Sequence, residues 1–319
     1  MYYLCYILIL FSIINFYFRI SNRFNIVDRP CERSSHTKPV IRGGGIIFPI
    51  GITCWFIWSG FQYPLFYTGL IIIGFISFLD DISTVKPWIR FLTHLVAILL
   101  LLVQVGCTPL PWWVVLFILI VATGIINAFN FMDGINGITA GYSLMALIGL
   151  WIVNNHQVLF VANEFIYAAG LAVLVFSFYN FRTQARCFAG DVGSVSIAFI
   201  LVFLTGKLII VSGNIHYLMF LCIYGVDAFL TIVYRLIRNE NIFAAHRSHL
   251  YQVFANEAGI SHVKVSTGYA VVQLMINFAV ISLINHLNNF HMLLISIGII
   301  FLLSTFYITI KQKISIRNF

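Results

Sequence analysis

The chain has 319 residues, 61% hydrophobic and only 9% charged, with a mean hydropathy of +0.98 and a formal net charge of +8. Soluble domains hold about 45–50% apolar and about 25% charged residues, so this composition excludes an ordinary soluble domain and predicts a polytopic membrane protein. The positive charge needs no nucleic acid to explain it, because it follows from how Lys and Arg distribute between the loops.

Stretches of about 20 mostly apolar residues mark spanning helices. In chain order they predict eleven: 2–20, 43–60, 64–79, 89–106, 111–127, 138–153, 159–179, 195–212, 216–235, 267–286 and 290–310. The first stretch has neither the basic start nor the small-residue cleavage site of a signal peptide, and reads as a retained helix. With the N-terminus outside, the loops 21–42, 80–90, 128–137, 180–194 and 236–266 and the tail 311–319 face the cytoplasm. Every Lys and Arg except Lys207 then lies inside or at the inner boundary, as the positive-inside bias requires. The cysteines (Cys5, Cys31, Cys54, Cys107, Cys187, Cys222) form no C-x-x-C pair and read as small apolar fillers. No linker separates two domains. The expected fold is one all-α membrane domain over 1–319, with ten to eleven transmembrane helices and its polar loops cytoplasmic.

Polar islands interrupt this apolar chain at the inner ends of the spans. A charge at mid-bilayer costs roughly 2.5–3.5 kcal/mol even on insertion scales, so carboxylates gathered at one depth suggest a site. The first island is basic and glycine-rich: Asp28-Arg29-Pro30, Arg33 to Pro39, then Arg42-Gly43-Gly44-Gly45. It reads equally as a solvated loop or as a phosphate contact. Asp80 and Asp81 end the third span, where mutual repulsion and the helix dipole both disfavour them. They therefore suggest a proton acceptor or a cation contact, with Lys86 and Arg90 close by. Asn127, Asn130, Asp133 and Asn136 recur every three residues, which would set them on one helical face beside Gly134 and Gly137. Capping and turn chemistry explains one or two of them but not four. Gly190-Asp191-Val192-Gly193-Ser194 precedes the eighth span, where backbone N–H groups can cradle phosphate and Asp191 can serve as a hard ligand for Mg2+. His246-Arg247-Ser248-His249 lacks a tetrahedral zinc set and reads better as a diphosphate clamp. His94, Glu164, Lys207 and Asp227 are ionisable residues within spans, and the sequence leaves their partners open.

Taken together, the Asp80-Asp81 pair with Arg90, Asn127-Ala-Phe-Asn-Phe-Met-Asp133-Gly134, Gly190-Asp-Val-Gly-Ser194 and His246-Arg-Ser-His-Leu-Tyr-Gln252 resemble the polyprenyl-phosphate N-acetylhexosamine-1-phosphate transferases, over about Asp28 to Gln252. The resemblance implies a bacterial inner-membrane enzyme. It would move HexNAc-1-phosphate from a UDP-N-acetylhexosamine to undecaprenyl phosphate and release UMP. It implies Mg2+ on Asp191, with Mn2+ as an alternative, and catalytic roles for Asp80, Asp81 and Asp133. Arg90 would hold the lipid phosphate; Asn127, Asn130 and Asn136, with His246, Arg247 and His249, would contact the sugar nucleotide. Two departures matter. Asn136 stands where the UDP-GlcNAc branch usually has a second Asp, and the His-Arg-Ser-His loop lacks the histidine triplet of the muramoyl-pentapeptide enzyme. The loop looks closer to the branch that initiates O-antigen or other surface glycans, whose donors include UDP-GlcNAc and 6-deoxy sugars such as FucNAc or QuiNAc. A transporter or flippase of polyprenyl-linked glycans and an inactive binding relative are the alternative functions, and a homodimer is a possible assembly of the enzyme.

Overall fold

The computed structural model describes residues 2–30, 39–241 and 247–317. The chain is helical nearly throughout, and every expected span has a helix. These are α1 (Tyr2–Phe24), α2 (Ile47–Trp58), α3 (Pro64–Ile82), α4 (Pro87–Val105), α5 (Trp112–Met132), α6 (Ile138–His156), α7 (Asn163–Asn180), α8 (Gly190–Ser212), α9 (Cys222–Ile237), α11 (His262–Leu283) and α12 (Asn289–Arg317), with a one-turn α10 (Leu250–Gln252) between α9 and α11. Pro64 and Pro87 sit in the first turns of α3 and α4, where a missing N–H leaves no bond unmade. Among the described residues, nine helical stretches are long and apolar enough to cross a membrane, counting Ile215–Ile237 as one. α2, with its 3-10 lead-in, is shorter, and α7 carries polar ends, Asn163-Glu164 and Asn180.

The ends differ from the hydropathy boundaries in a consistent way. α5 runs on to Met132 and α8 starts at Gly190, because helices continue through polar residues that apolarity does not register. The ninth span is broken: a 3-10 segment, Ile215–Leu221, feeds α9. A small antiparallel ribbon, β1 (Val27–Asp28) with β2 (Val40–Ile41), was not expected in an all-α chain. Ile41 also bridges to Cys187, which ties the ribbon to the segment before α8.

α8 is the centre of the bundle. Of its most apolar window 72% is buried, against 11% for α12, which lies at the periphery. Phe66 stacks on Phe203 at 4.2 Å, and Trp55 meets Phe165 edge-on at 4.5 Å, filling the core between α2, α3, α7 and α8. Several polar groups inside the spans pair with one another, as a water-free environment favours, although the hydroxyls of Ser143, Ser196 and Thr205 have no hydrogen-bond partner among the described residues. Gln273 of α11 accepts from Tyr142 at 2.8 Å and donates to Asn277 and to the Met219 carbonyl. Lys207 forms no ion pair with Glu164 or Asp227 among the described residues; Asp227 is engaged elsewhere. The described cysteines are free.

Candidate functional site

The polar islands converge on one end of the bundle, and the convergence begins with an unusual cap. α8 has no local side chain to receive its first N–H groups. Asp81, at the end of α3, supplies the acceptor from across the bundle: its Oδ1 accepts from the Asp191 N–H at 2.9 Å and its Oδ2 from the Val192 N–H at 3.0 Å. A carboxylate at a helix N-terminus also meets the favourable end of the dipole. Gly190 makes the approach feasible, with φ of 70° and Asp81 so close that a Cβ there would collide with its carboxylate. The expectation that this turn offers backbone N–H groups to phosphate is thus corrected, because those two N–H groups already bind Asp81.

The glycine run after Arg42 is likewise a packing surface. Gly44 and Gly45 donate to the carbonyls of Phe188 and Ala189 at 2.8 and 3.0 Å. A Cβ on Gly45 would overlap the Cα of Gly193. The first turn of α8 and the lead-in to α2 therefore touch backbone to backbone. This fixes Arg42, whose carbonyl accepts from Tyr17 at 2.7 Å.

Five charged side chains then form an alternating relay. Arg90 Nη1 binds Asp80 Oδ2 at 2.6 Å, while its Nη2 lies 3.1 Å from Asp191 Oδ2. Arg42 Nε binds Asp81 Oδ1 at 2.7 Å, while its Nη2 lies 3.3 Å from Asp191 Oδ1. Asp80 also accepts from the Val85 N–H at 2.7 Å. The Asp81 side chain is fully buried, whereas Asp191 keeps 16% of its side chain exposed. Burial opposes the charge on Arg42, but Asp81 and Asp191 outweigh it and hold the guanidinium above its ordinary pKa. In the sequence Arg42 belongs to a basic, glycine-rich loop that reads equally as solvated or as a phosphate contact, and nothing there signals its ion pairs with Asp81 and Asp191.

The Asn127 series divides. α5 stops at Met132, and Asp133 leaves the helix with ψ of 63°. The expected single helical face therefore holds only Asn127 and Asn130, which have no hydrogen-bond partner among the described residues. Asp133 Oδ1 accepts from Thr139 at 2.6 Å. Burial, reinforced by the charges of Asp191 and Asp81 against the counter-effect of Thr139 and Arg42, pushes its carboxyl up to about 7. Asn136 has a structural task. It is 5% exposed, its amide donates to the carbonyls of Arg182 and Thr183 at 2.9 and 3.1 Å, and its own carbonyl accepts from Ser266.

The last island is fastened from below. Asp227 of α9 accepts from the Leu250 N–H at 3.0 Å and from Tyr269 at 2.7 Å, and lies 3.3 Å from His249 Nδ1. His249 is 2% exposed and its backbone closes a capping box with Gln252. Tyr251 donates to the Phe131 carbonyl at 3.0 Å and packs on Gly134, which joins this loop to the end of α5. His246 lies outside the described residues. Sequence reasoning left Asp227 without a partner, since nothing along the chain links position 227 to 249–250 or 269.

The donor set is one of hard oxygens. No group of three or more His, Cys, Asp or Glu side chains among the described residues is placed to hold a metal alone. Mg2+ does not require one, because it usually takes one or two carboxylates and fills its remaining positions with waters and phosphate oxygens. Asp191, partly exposed, and Asp133, whose Oδ2 has no protein partner among the described residues, suit that pattern.

The sequence profile of glycosyl transferase family 4 matches residues 63–209, which include Asp80, Asp81, Asp133 and Asp191. Across this stretch, which is less than half of the chain, the protein is similar to that family. It is 27% identical over 267 residues to a Bacillus subtilis protein named "Probable undecaprenyl-phosphate N-acetylglucosaminyl 1-phosphate transferase", covering 76% of this chain and 73% of that protein. It is 26% identical over 262 residues to the undecaprenyl-phosphate alpha-N-acetylglucosaminyl 1-phosphate transferase of Yersinia pestis, covering 74% and 71%. It is 27% identical over 224 residues to the phospho-N-acetylmuramoyl-pentapeptide-transferase of Lactiplantibacillus plantarum, covering 61% and 66%. The family-4 profile thus spans four of the five relay residues, while Arg42 and the Asp227-anchored loop lie outside it.

Proposed function

We propose that this protein transfers HexNAc-1-phosphate from a UDP-N-acetylhexosamine to undecaprenyl phosphate at the cytoplasmic face of the bacterial inner membrane. The donor is GlcNAc or a 6-deoxy-HexNAc, and the product primes a surface glycan such as O-antigen. The observation that carries the reading is the meeting of Asp191, Arg42, Arg90 and Asp133 at one end of the bundle. Acids and guanidinia together suit a diphosphate that arrives with a cation.

In this reading a lipid phosphate oxygen attacks the β-phosphorus, the bond from that phosphorus to the bridging oxygen breaks, and UMP leaves. Asp191, with Asp133 nearby, would hold Mg2+, which would supply charge neutralisation on the diphosphate. Asp133 accepts the proton of the lipid phosphate, since a carboxyl poised near neutral pH is matched to that task. Asn127 and Asn130 offer amide donors to the nucleotide. Asp80 and Asp81 act as positioning residues: their oxygens are committed to the Val85 N–H, the α8 N–H groups and the two arginines. Arg247 and His246 contact the sugar diphosphate, and Asp227 fixes the segment that begins at His249.

The test is UMP release from membranes given undecaprenyl phosphate, Mg2+ and a panel of UDP-HexNAc donors. Asp191→Asn is expected to abolish release while the protein remains inserted. Full turnover in that variant would remove the role given to Asp191, and substrate movement without UMP would favour a transporter.

A further inference from the structure

Two cations at this site both rest on one anion. Arg42 and Arg90 approach opposite oxygens of Asp191, Oδ1 at 3.3 Å and Oδ2 at 3.1 Å. Each is anchored through a different nitrogen on a second, more buried carboxylate: Arg42 on Asp81, whose side chain is 0% exposed, and Arg90 on Asp80 at 8%. The contacts to the anchors are 2.7 and 2.6 Å, shorter than those to Asp191. Each guanidinium has five N–H donors, and beyond these contacts neither has a further acceptor among the described residues. About a third of each side chain is exposed, 34% and 30%. The pair is thus pinned at its inner edge, loosely engaged at Asp191 and open outward.

We propose that Arg42 and Arg90 are phosphate-binding residues parked on Asp191, and that an incoming diphosphate draws them off and so frees Asp191 for a divalent cation. This rests on the transferase reading and deepens it. Guanidinium binds phosphate oxygens in the same forked geometry that it uses for carboxylates, so the exchange replaces one strong pair with another. Asp80, Asp81 and Asp191, with Asp133 nearby, outnumber the two guanidinia that they share, so a diphosphate adds negative charge where acids already predominate. The released Asp191 then needs a positive partner, which the cation provides. Cation and diphosphate therefore favour each other's entry, and in the ligand-free site the two arginines offset part of the acidic charge. Arg42, in the segment that otherwise serves packing, becomes a residue that sets this coupling.

The experiment counts bound Mn2+ by electron paramagnetic resonance on the purified, detergent-solubilised full chain, with and without UDP. Without nucleotide, Arg42→Gln should bind Mn2+ about tenfold more tightly than the native protein, because a cation beside the ion's ligand has been removed. The enhancement of Mn2+ binding by UDP should shrink in the same variant, while chelation of Mn2+ by UDP in solution is common to both samples. Arg42→Lys keeps a charge for Asp81 but lacks the second arm, so it should fall between the two. It decides the question if Arg42→Gln fails to elute as a folded protein. Equal or weaker nucleotide-free Mn2+ binding in the folded variants would overturn the parking of Arg42. Mn2+ binding that survives Asp191→Asn unchanged would overturn the metal role of Asp191 as well, so the two failures are told apart.

Discussion

Replacing Asp81 by Asn separates a cap from a catalyst. The Asp81 side chain has no exposed surface, and it carries three contacts: the N–H groups of Asp191 and Val192 at 2.9 and 3.0 Å, and Arg42 Nε at 2.7 Å. An amide keeps one acceptor oxygen and turns an NH2 group toward a backbone donor or the guanidinium. A buried donor left unsatisfied costs about 1–3 kcal/mol, and breaking a buried ion pair from one side costs about 3–5 kcal/mol. These overlap here because the contacts share one carboxylate, so the expected loss is about 3–5 kcal/mol. In a chain of this size that lowers the melting temperature on the order of 5–10 °C. The assay is thermal unfolding in detergent followed by size-exclusion chromatography, with UMP release measured on the surviving protein. Asp191→Asn is the control. It is partly exposed, its ion pairs are with the two arginines, which keep Asp80 and Asp81, and the neighbouring Asp80 opposes its charge, so it should lose about 1 kcal/mol or less. An Asp81→Asn protein that melts like the native one yet releases no UMP would refute the capping role and place Asp81 on the substrate.

Three further outcomes are expected. Asp133, held protonated up to about 7 against an ordinary value of 3.8, binds a proton in the folded state that the unfolded chain has already released. Stability should therefore fall as pH rises from about 4 to about 7 and then level off; Asp133→Asn should flatten that slope, and UMP release in the native protein should climb through the same upper limb. Asp227→Asn weakens the anchor of Leu250, Tyr269 and His249; it should cost several kcal/mol and open residues 247–257 to limited proteolysis, whereas Tyr269→Phe, which removes one hydroxyl, should cost about 1 kcal/mol. Gly45→Ala puts a methyl into the backbone of Gly193; a loss of about 1–3 kcal/mol or more is expected from overpacking, read as a lower yield of folded protein, and an unperturbed variant would contradict the close approach of these two segments.

The sequence by itself determined the class of the protein and the order of its helices, whereas against ten to eleven expected spans nine helical stretches among the described residues are long and apolar enough to cross a membrane. Apolar length is a property of consecutive residues, and lipid selects for it directly, so each of the eleven predicted spans has its helix. It also identified the islands that carry chemistry, because a carboxylate in so apolar a chain is costly wherever it stands. It misjudged where α5 and α8 end and begin, since helices extend through polar residues that hydropathy discounts.

Only the tertiary structure decided what each polar residue does. Asp80 and Asp81 are neighbours in sequence, yet one joins Arg90 and the other caps a helix more than a hundred residues away. Asn127 and Asn136 share a periodic pattern, but one is exposed and the other is locked to the carbonyls of Arg182 and Thr183. Arg42 meets Asp81 and Asp191, and Asp227 meets His249, only because helices distant in the chain lie side by side. Hydrogen bonds and ion pairs act over about 3 Å, and no local pattern encodes which distant atoms come within that reach.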